Sequence, residues 1–384
     1  MKILGIETSC DETAAAVVES AGRRRLKLLS NVVASSVDLH AAFGGVVPEI
    51  AARSHIESIL PVIDQALIDA FAVNSKKTKL VPNSQLLIPQ SDDLWSQIDA
   101  IAVTQGPGLI SSLLIGVLTA RTLAIAKQKP LYAINHVHAH PYACFITETG
   151  LNFKNQNSNF KLVEKAPQFP CLALIVSGGH TQLVLFESHK KYRLLGQTTD
   201  DAVGEAYDKV AKMLGFPYPG GPFIDQISRK GDSKKYKLPK AKLETPYEFS
   251  FSGLKTAVLR LAQKVSGHDY TFPSTGLPEA LSEAQKADIA ASFQRTAIET
   301  LVEALKEADE EFQPKSIVIA GGVAANQELR KQASKKLSTA VTFPDIKLCT
   351  DNAAMVATLG YFKAKTGEKP ADPYSLDVDP SLKM

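Results

Sequence analysis

Apolar and polar stretches alternate along the chain in an order that occurs twice. Residues 2–7 (KILGIE) form a β-branched run, Thr8 to Thr13 make a polar loop, and Ala14 to Val18 are apolar again. Two short apolar runs around a short polar break predict a β-hairpin, here with an unusually polar tip. The pattern returns at residues 171–187 (CLALIVSGGHTQLVLFE), with Ser177-Gly178-Gly179-His180-Thr181 as the tip. A second pair of segments matches too. Residues 99–126 run strand, glycine loop (Gly106-Pro107-Gly108) and apolar helix; residues 315–337 run strand, glycine loop (Gly321-Gly322-Val323) and a helix from about Ala325. The doubled order predicts two related α/β lobes facing each other across a cleft. We place the lobes at residues 1–132 and 133–384, with the last helix able to pack back on the first. Each glycine loop offers backbone N–H groups at a helix N-terminus, a natural seat for a phosphate, although glycines also serve plain tight turns. Residues 73–93 and 149–167 are polar and aperiodic and read as surface insertions, the second near the lobe junction.

Composition changes this picture little. At 384 residues with 45% hydrophobic and 22% charged content, the chain has the make-up of a soluble globular protein large enough for two or three domains. A net charge of +3 permits an RNA partner without demanding one. Cys10, Cys144, Cys171 and Cys349 are far apart and form no CxxC pair, which fits a reducing compartment. Glu7 interrupts what would be the apolar core of a signal peptide, so no secretion signal is expected. The long apolar run Leu109 to Ala126 carries Arg121 and follows a glycine loop, so it reads as a buried helix rather than a membrane span.

Candidate chemistry starts at Asn135-His136-Val137-His138-Ala139-His140, three of eight histidines in five residues. On a helix, His136 and His140 share one face a turn apart and can grip one metal ion, while His138 points elsewhere; on a strand all three would share a face. The bland alternative is a helix start whose histidines merely cap or pack. Asp351, in the polar break Cys349-Thr350-Asp351-Asn352, could complete a two-histidine, one-carboxylate site suited to Fe²⁺ or Zn²⁺; alone it reads as an N-cap. Asp11 and Glu12 on the first tip could order a metal, a water or an attacking amine, or simply form the turn. In GGVVPEIAARSH (44–55), Glu49 begins a helix that could line the cleft, a helix cap being the plain reading. Glu205 and Asp208 lie three apart, on one helical face, where a carboxylate can hold a ribose diol or merely be solvated. The turn Tyr218-Pro219-Gly220-Gly221-Pro222 lets backbone approach a flat ligand, with Asp225 just beyond it. Between Arg229 and Lys242 there are seven Lys/Arg against one acid, a cluster that suits a phosphate backbone or a solvated surface. Arg23-Arg24-Arg25 reads as a hairpin turn.

Ten motifs in order resemble the universal tRNA N6-adenosine threonylcarbamoyltransferase family over nearly the whole chain. They are IETSCDET (6–13), GGVVPEIAARSH (44–55), TQGPGL (104–109), the histidine stretch (135–140), LIVSGGHTQL (174–183), GEAYDK (204–209), YPGGP (218–222), FSFSGLKTAV (249–258), GGVAAN (321–326) and TDNAAM (350–355). The resemblance implies an α/β fold of two actin-like ATPase (ribonuclease H-like) lobes, in agreement with the repeat. It implies that His136, His140 and Asp351 hold one divalent metal, Fe²⁺ before Zn²⁺. It implies that Ile175, Val176, Ser177, Gly178, Gly179, Asp208, Gly221, Asp225 and Asn326 hold an adenylate substrate. His138 stands where relatives often have other residues. The implied reaction passes the threonylcarbamoyl group of L-threonylcarbamoyl-AMP to N6 of adenosine 37 in ANN-reading tRNAs, with Asp11 and Glu12 orienting or deprotonating the amine. Implied partners are tRNA, a degenerate paralogue of the same fold, a small P-loop ATPase and a separate threonylcarbamoyl-AMP synthase, in the cytoplasm and without a membrane. The two polar insertions lengthen the chain relative to most family members.

Three other readings compete. A small-molecule kinase shares the fold but has no need of a paired-histidine metal centre. A zinc protease of the HExxH kind needs a glutamate where this chain has Val137. A catalytically silent scaffold would have lost the histidine and aspartate ligands, which are all present here.

Overall fold

The computed structural model describes residues 1–20, 22, 25–71, 91–150, 153 and 160–384. Arg23, Arg24, most of the 73–93 insertion and the middle of the 149–167 insertion lie outside the described residues; Arg25 pairs with Glu148 at 3.0 Å. The strands are β1 (Lys2–Glu7), β2 (Glu12–Ser20), β3 (Leu26–Ser35), β4 (Ala100–Gly106), β5 (Leu131–Asn135), β6 (Glu148–Thr149), β7 (Cys171–Val176), β8 (Thr181–Phe186), β9 (Tyr192–Gln197), β10 (Ser316–Ala320) and β11 (Val341–Thr342). They form two sheets, ordered β5-β4-β1-β2-β3-β6 and β11-β10-β7-β8-β9.

The two orders are the same topology used twice. In each, an antiparallel hairpin continues into a third strand, and a later strand returns parallel to the first: β4 beside β1, and β10 beside β7. A further parallel strand completes the set, β5 beside β4 and β11 beside β10. This is the repeat legible in the apolar pattern, and it is the actin-like ATPase lobe topology. β1 and β7 read as continuous apolar runs because they are central strands covered on both faces.

The chain divides into two compact units, one of residues 1–39, 46–166 and 344–384, the other of residues 40–45 and 167–343. The boundary expected after residue 132 therefore falls elsewhere. β5 straddles that position and pairs with β4, so residues 133–166 stay with the first sheet. The last helix, Ala353–Lys365, belongs to the first unit as well, where it packs on β1 and β2. Ala353, Ala354, Ala357 and Gly360 keep it slim, and Gly5 of β1 lies so close that a Cβ there would sit 2.3 Å from the Ala353 carbonyl oxygen.

Two further expectations are corrected. Helix Ile110–Ala126 is only half buried: Leu113, Val117, Ala120 and Ala124 join the core, whereas Ile110, Leu114 and Leu118 face solvent. Among the described residues no helix is long and apolar enough to cross a membrane. The glycine loop 106–108 is not an open phosphate seat either, because its donors are already used. Gly108 N–H donates to Pro380 O at 3.3 Å and Leu109 N–H to Ser9 O at 2.8 Å. The C-terminal segment is held there by Arg121, whose guanidinium donates to the carbonyls of Pro373, Tyr374 and Leu376 at 2.7, 2.7 and 3.0 Å.

Candidate metal centre and nucleotide site

The histidine stretch begins where β5 ends. Asn135 caps a single helical turn, His136–Ala139, by accepting from His138 N–H at 3.0 Å, and a 3₁₀ turn, His140–Phe145, follows. The helical alternative is thus the one adopted. His136 and His140 stack edge to face with ring centroids 4.7 Å apart, while His138 turns away to lie edge-on to Tyr142. Asp351 arrives from the other end of the unit. It sits just before helix Ala353–Lys365, and Asn352, not Asp351, caps that helix by accepting from Met355 N–H at 3.1 Å. The aspartate is thereby released for the site.

Asp351 Oδ1 lies 3.5 Å from His136 Nε2 and 3.7 Å from His140 Nε2. Two ligand atoms each ~2.1 Å from one ion stand roughly 3–3.5 Å apart, so the spacing fits a shared cation with little adjustment. One donor atom from each residue lies within 4.8 Å of the other two. Both imidazoles are buried, and Asp351 keeps 20% of its side chain exposed, so the group opens on the carboxylate side. Two neutral-capable nitrogens and one carboxylate oxygen are a set that Fe²⁺ and Zn²⁺ both accept.

The surroundings orient the ligands. Glu7 at the end of β1 is fully buried; it accepts from Ser9 N–H at 2.6 Å and from the Thr104 hydroxyl at 2.5 Å, and its Oε2 lies 3.1 Å from His136 Nδ1. With Nδ1 beside the Glu7 carboxylate, Nε2 is the nitrogen left facing Asp351 for a metal ion, whose binding would displace its proton, as in carboxylate–histidine–metal arrangements. Burial alone would raise Glu7, but the His136 charge and the hydrogen bonds from His136, Ser9 and Thr104 win and hold it down at about 2. Burial alone would lower His136; Asp351 and Glu7 instead lift it to about 9. Asp351 rises to about 6 through burial, with His136 opposing and Glu7 and Asp11 adding repulsion. The carboxylates of Glu7 and Asp351 thus flank His136 from both sides and favour positive charge there.

The first hairpin tip adjoins this group. Asp11 is buried, and Glu12, which opens β2, is pushed up to about 10 by burial and then by repulsion from Asp351 and Asp11. His55, in helix Pro48–Phe71, locks the tip: Nε2–H donates to Cys10 O at 2.9 Å and Nδ1 accepts from the Thr13 hydroxyl at 2.8 Å. Reading the sequence missed Glu7, Ser9, Thr104 and His55 as site residues. A lone acid at the end of an apolar strand was the one available signal for Glu7.

In the second unit the tip 177–180 closes on itself, Ser177 N–H donating to His180 O at 2.9 Å and His180 N–H to Ser177 Oγ at 3.1 Å. Helix Val203–Met213 docks beneath it, with Val203 N–H donating to Thr181 Oγ1 at 2.9 Å. Gly321 (φ 97°) follows β10 with its backbone against Val176, where a Cβ would come within 2.3 Å of the Val176 oxygen. Asp208 accepts from Gly220 N–H at 2.7 Å, and burial raises its carboxyl despite the backbone donors of Gly220 and Gly221. A cavity of about 260 Å³ opens beside it, walled by Phe43, Gly44, Lys212, Phe216 and Tyr218. Glu205, by contrast, is half exposed and pairs with Lys209 at 2.7 Å, so the two carboxylates of that helix part company. Asp225 and Asn326 are joined through Gln294, which donates to Asp225 at 3.4 Å and accepts from Asn326 at 2.8 Å. The basic run 229–242 is partly compensated: Arg229 pairs with Asp225, Lys235 with Asp288, and Lys240 with Glu299 and Glu303. All four cysteines are free.

Two lobes of one actin-like topology, the first bearing a two-histidine, one-carboxylate group, define an α/β protein of the actin-like ATPase class. Residues 27–358 match the TsaD family, described as tRNA N6-adenosine threonylcarbamoyltransferase. The protein of that name from Dehalococcoides mccartyi is 44% identical over 384 residues, 100% of this chain and 99% of its own. Its namesake from Symbiobacterium thermophilum is 46% identical over 368 residues, 95% of this chain and 92% of its own. Among solved structures, T. kodakarensis HypF shares the fold at a TM-score of 0.53 and 13% identity, over 95% of this chain and 48% of that one. The chain belongs to the tRNA N6-adenosine threonylcarbamoyltransferase family, and so to the acyltransferases.

Proposed function

We propose that the protein transfers the threonylcarbamoyl group from L-threonylcarbamoyl-AMP to N6 of adenosine 37 in ANN-decoding tRNAs. The observation that carries this reading is the meeting of His136, His140 and Asp351 in a member of this family. A small-molecule kinase is not favoured: its chemistry has no use for that triad.

The adenylate arrives with its leaving group installed, so the protein contributes mainly position and charge stabilisation. Ile175 to Gly179, Asp208, Gly221, Asp225 and Asn326 hold the nucleotide. The adenosine N6 attacks the carbamoyl carbon, the bond from that carbon to the phosphate oxygen breaks, and AMP departs with the electron pair. Asp11 and Glu12 face the amine, orient it and take the proton it sheds. His136, His140 and Asp351 hold one divalent ion, Fe²⁺ before Zn²⁺, which when bound supplies Lewis-acid stabilisation of charge on a substrate oxygen. The protein works in the cytoplasm, beside a degenerate paralogue, a small P-loop ATPase and the synthase that makes the adenylate.

The test is mass spectrometry of tRNA nucleosides from cells depleted of this protein. The threonylcarbamoyl nucleoside should fall toward background; an unchanged level removes the assignment. The buried carboxylate behind His136 gives a second test. Glu7→Gln keeps the shape but replaces the anion that fixes the ring, and metal affinity should drop roughly 10- to 100-fold. A competition titration with a chelator reads this directly, and affinity equal to that of the parent would refute the role.

A further inference from the structure

Helix Glu283–Phe312 buries Ala290, Ala291, Phe293, Ala297 and Ile298, together with the small polar side chains of Ser292 and Thr296. Gln294 stands among them, only 5% exposed. A buried amide is costly unless both its ends are paired. Both are, and each partner is among the residues that the proposed reaction assigns to the adenylate. Asn326 Nδ2 donates to Gln294 Oε1 at 2.8 Å, and Gln294 Nε2 donates to Asp225 Oδ1 at 3.4 Å.

The orientation of this chain is not arbitrary. Asn326 is the N-cap of helix Gln327–Lys336, and its Oδ1 accepts from Leu329 N–H at 3.0 Å. The cap fixes which end of the Asn326 amide is oxygen, so Nδ2 must face Gln294. Gln294 then has to present its oxygen to Asn326 and its N–H₂ to Asp225. On the far side, Asp225 Oδ2 accepts from Arg229 Nη2 at 2.6 Å. Both carboxylate oxygens of Asp225 and both heavy atoms of the Asn326 amide are thereby held, each keeping hydrogen-bonding capacity for a ligand.

We propose that Gln294 is a positioning residue of the nucleotide site, setting the direction in which Asp225 and Asn326 meet the adenylate. This rests on the reading that those two residues hold the nucleotide. The test uses the full-length protein, AMP as the binding probe, and transfer kinetics with threonylcarbamoyl-AMP and tRNA. Gln294→Leu should weaken AMP binding about 10-fold and raise KM for threonylcarbamoyl-AMP by a similar factor, leaving KM for tRNA unchanged. Gln294→Glu, nearly isosteric, should weaken AMP binding at least as much, because it sets a carboxylate beside Asp225; it also serves where the leucine variant folds poorly. Gln294→Leu added to a protein already carrying Asp225→Ala and Asn326→Ala should weaken AMP binding no more than about twofold further, since the glutamine acts through those two partners. A lowered melting temperature with unchanged AMP affinity and unchanged KM overturns the proposal, as does full additivity of Gln294→Leu when both partners are already alanine. If Asp225→Ala and Asn326→Ala themselves bind AMP like the parent, the adenylate assignment falls. If they lose affinity while both Gln294 variants keep it, only the role of Gln294 falls.

Discussion

Replacing His140 by alanine is expected to empty the metal centre and slow threonylcarbamoyl transfer by about 10³-fold, ~4 kcal/mol of transition-state stabilisation. The triad has three donors, and loss of one leaves two ligands that cannot fix an ion against water and chelators. His140 is 1% exposed, so its removal also leaves a cavity, and a folding defect could mimic loss of function. Asp351→Asn separates the two effects. It preserves volume, leaves the Asn352 cap of the last helix in place, and removes only the anionic donor. Both variants should therefore lose metal by elemental analysis and lose single-turnover transfer together, while Asp351→Asn keeps the parent's circular dichroism and melting behaviour. An Asp351→Asn protein that retained stoichiometric metal, or that transferred at the parent rate without it, would sink the metal assignment.

Much of this arrangement was readable in the residues, and the parts that were not share a cause. The hairpins at Lys2–Ser20 and Cys171–Phe186 were legible because apolar runs broken by polar tips are local signals. The separation of His138 from its neighbours followed from helical geometry alone, once the helical alternative was the one realised. What failed depended on partners distant in sequence. An apolar strand such as β5 does not announce which sheet it will join, so the unit boundary expected after residue 132 misses the pairing of β5 with β4. The donors of the loop at Gly106–Gly108 are used by Ser9 and by a segment some 270 residues further on, around Pro380. Glu205 and Asp208 share a helical spacing yet part, because Lys209 captures one and the backbone at Gly220 the other. Helix Ile110–Ala126 is apolar on nearly every side, and a pattern without a polar face cannot say which face is covered.

The same dependence on distant partners makes Gly5→Ala a substitution expected to cost stability and metal affinity together. Gly5 lies in β1, pinned between β2 and β4, so the strand cannot retreat. A Cβ at this position would fall 2.3 Å from Ala353 O, 2.7 Å from Ala357 N and 2.9 Å from Ala357 Cβ. All three belong to the backbone or first side-chain atom of a buried helix, none to a flexible chain end, so the helix itself must shift. Overpacking of this kind is expected to destabilise by about 3 kcal/mol, read as a lowered urea midpoint at unchanged slope. The displaced element is the one that carries Asp351 at its entrance, and the 3.5 Å and 3.7 Å separations from His136 and His140 depend on where that entrance lies. Metal affinity should therefore fall together with stability, although Gly5 touches no ligand. Gly253→Ala is the matched control: nothing lies within 4 Å of its added methyl in helix Ser252–Val265. It should be neutral or stabilise by about 0.4–1 kcal/mol with metal binding intact. A Gly5→Ala protein with the parent's urea midpoint and metal affinity would show that the helix accommodates the methyl freely, and that the close approach of strand and helix is not what places Asp351.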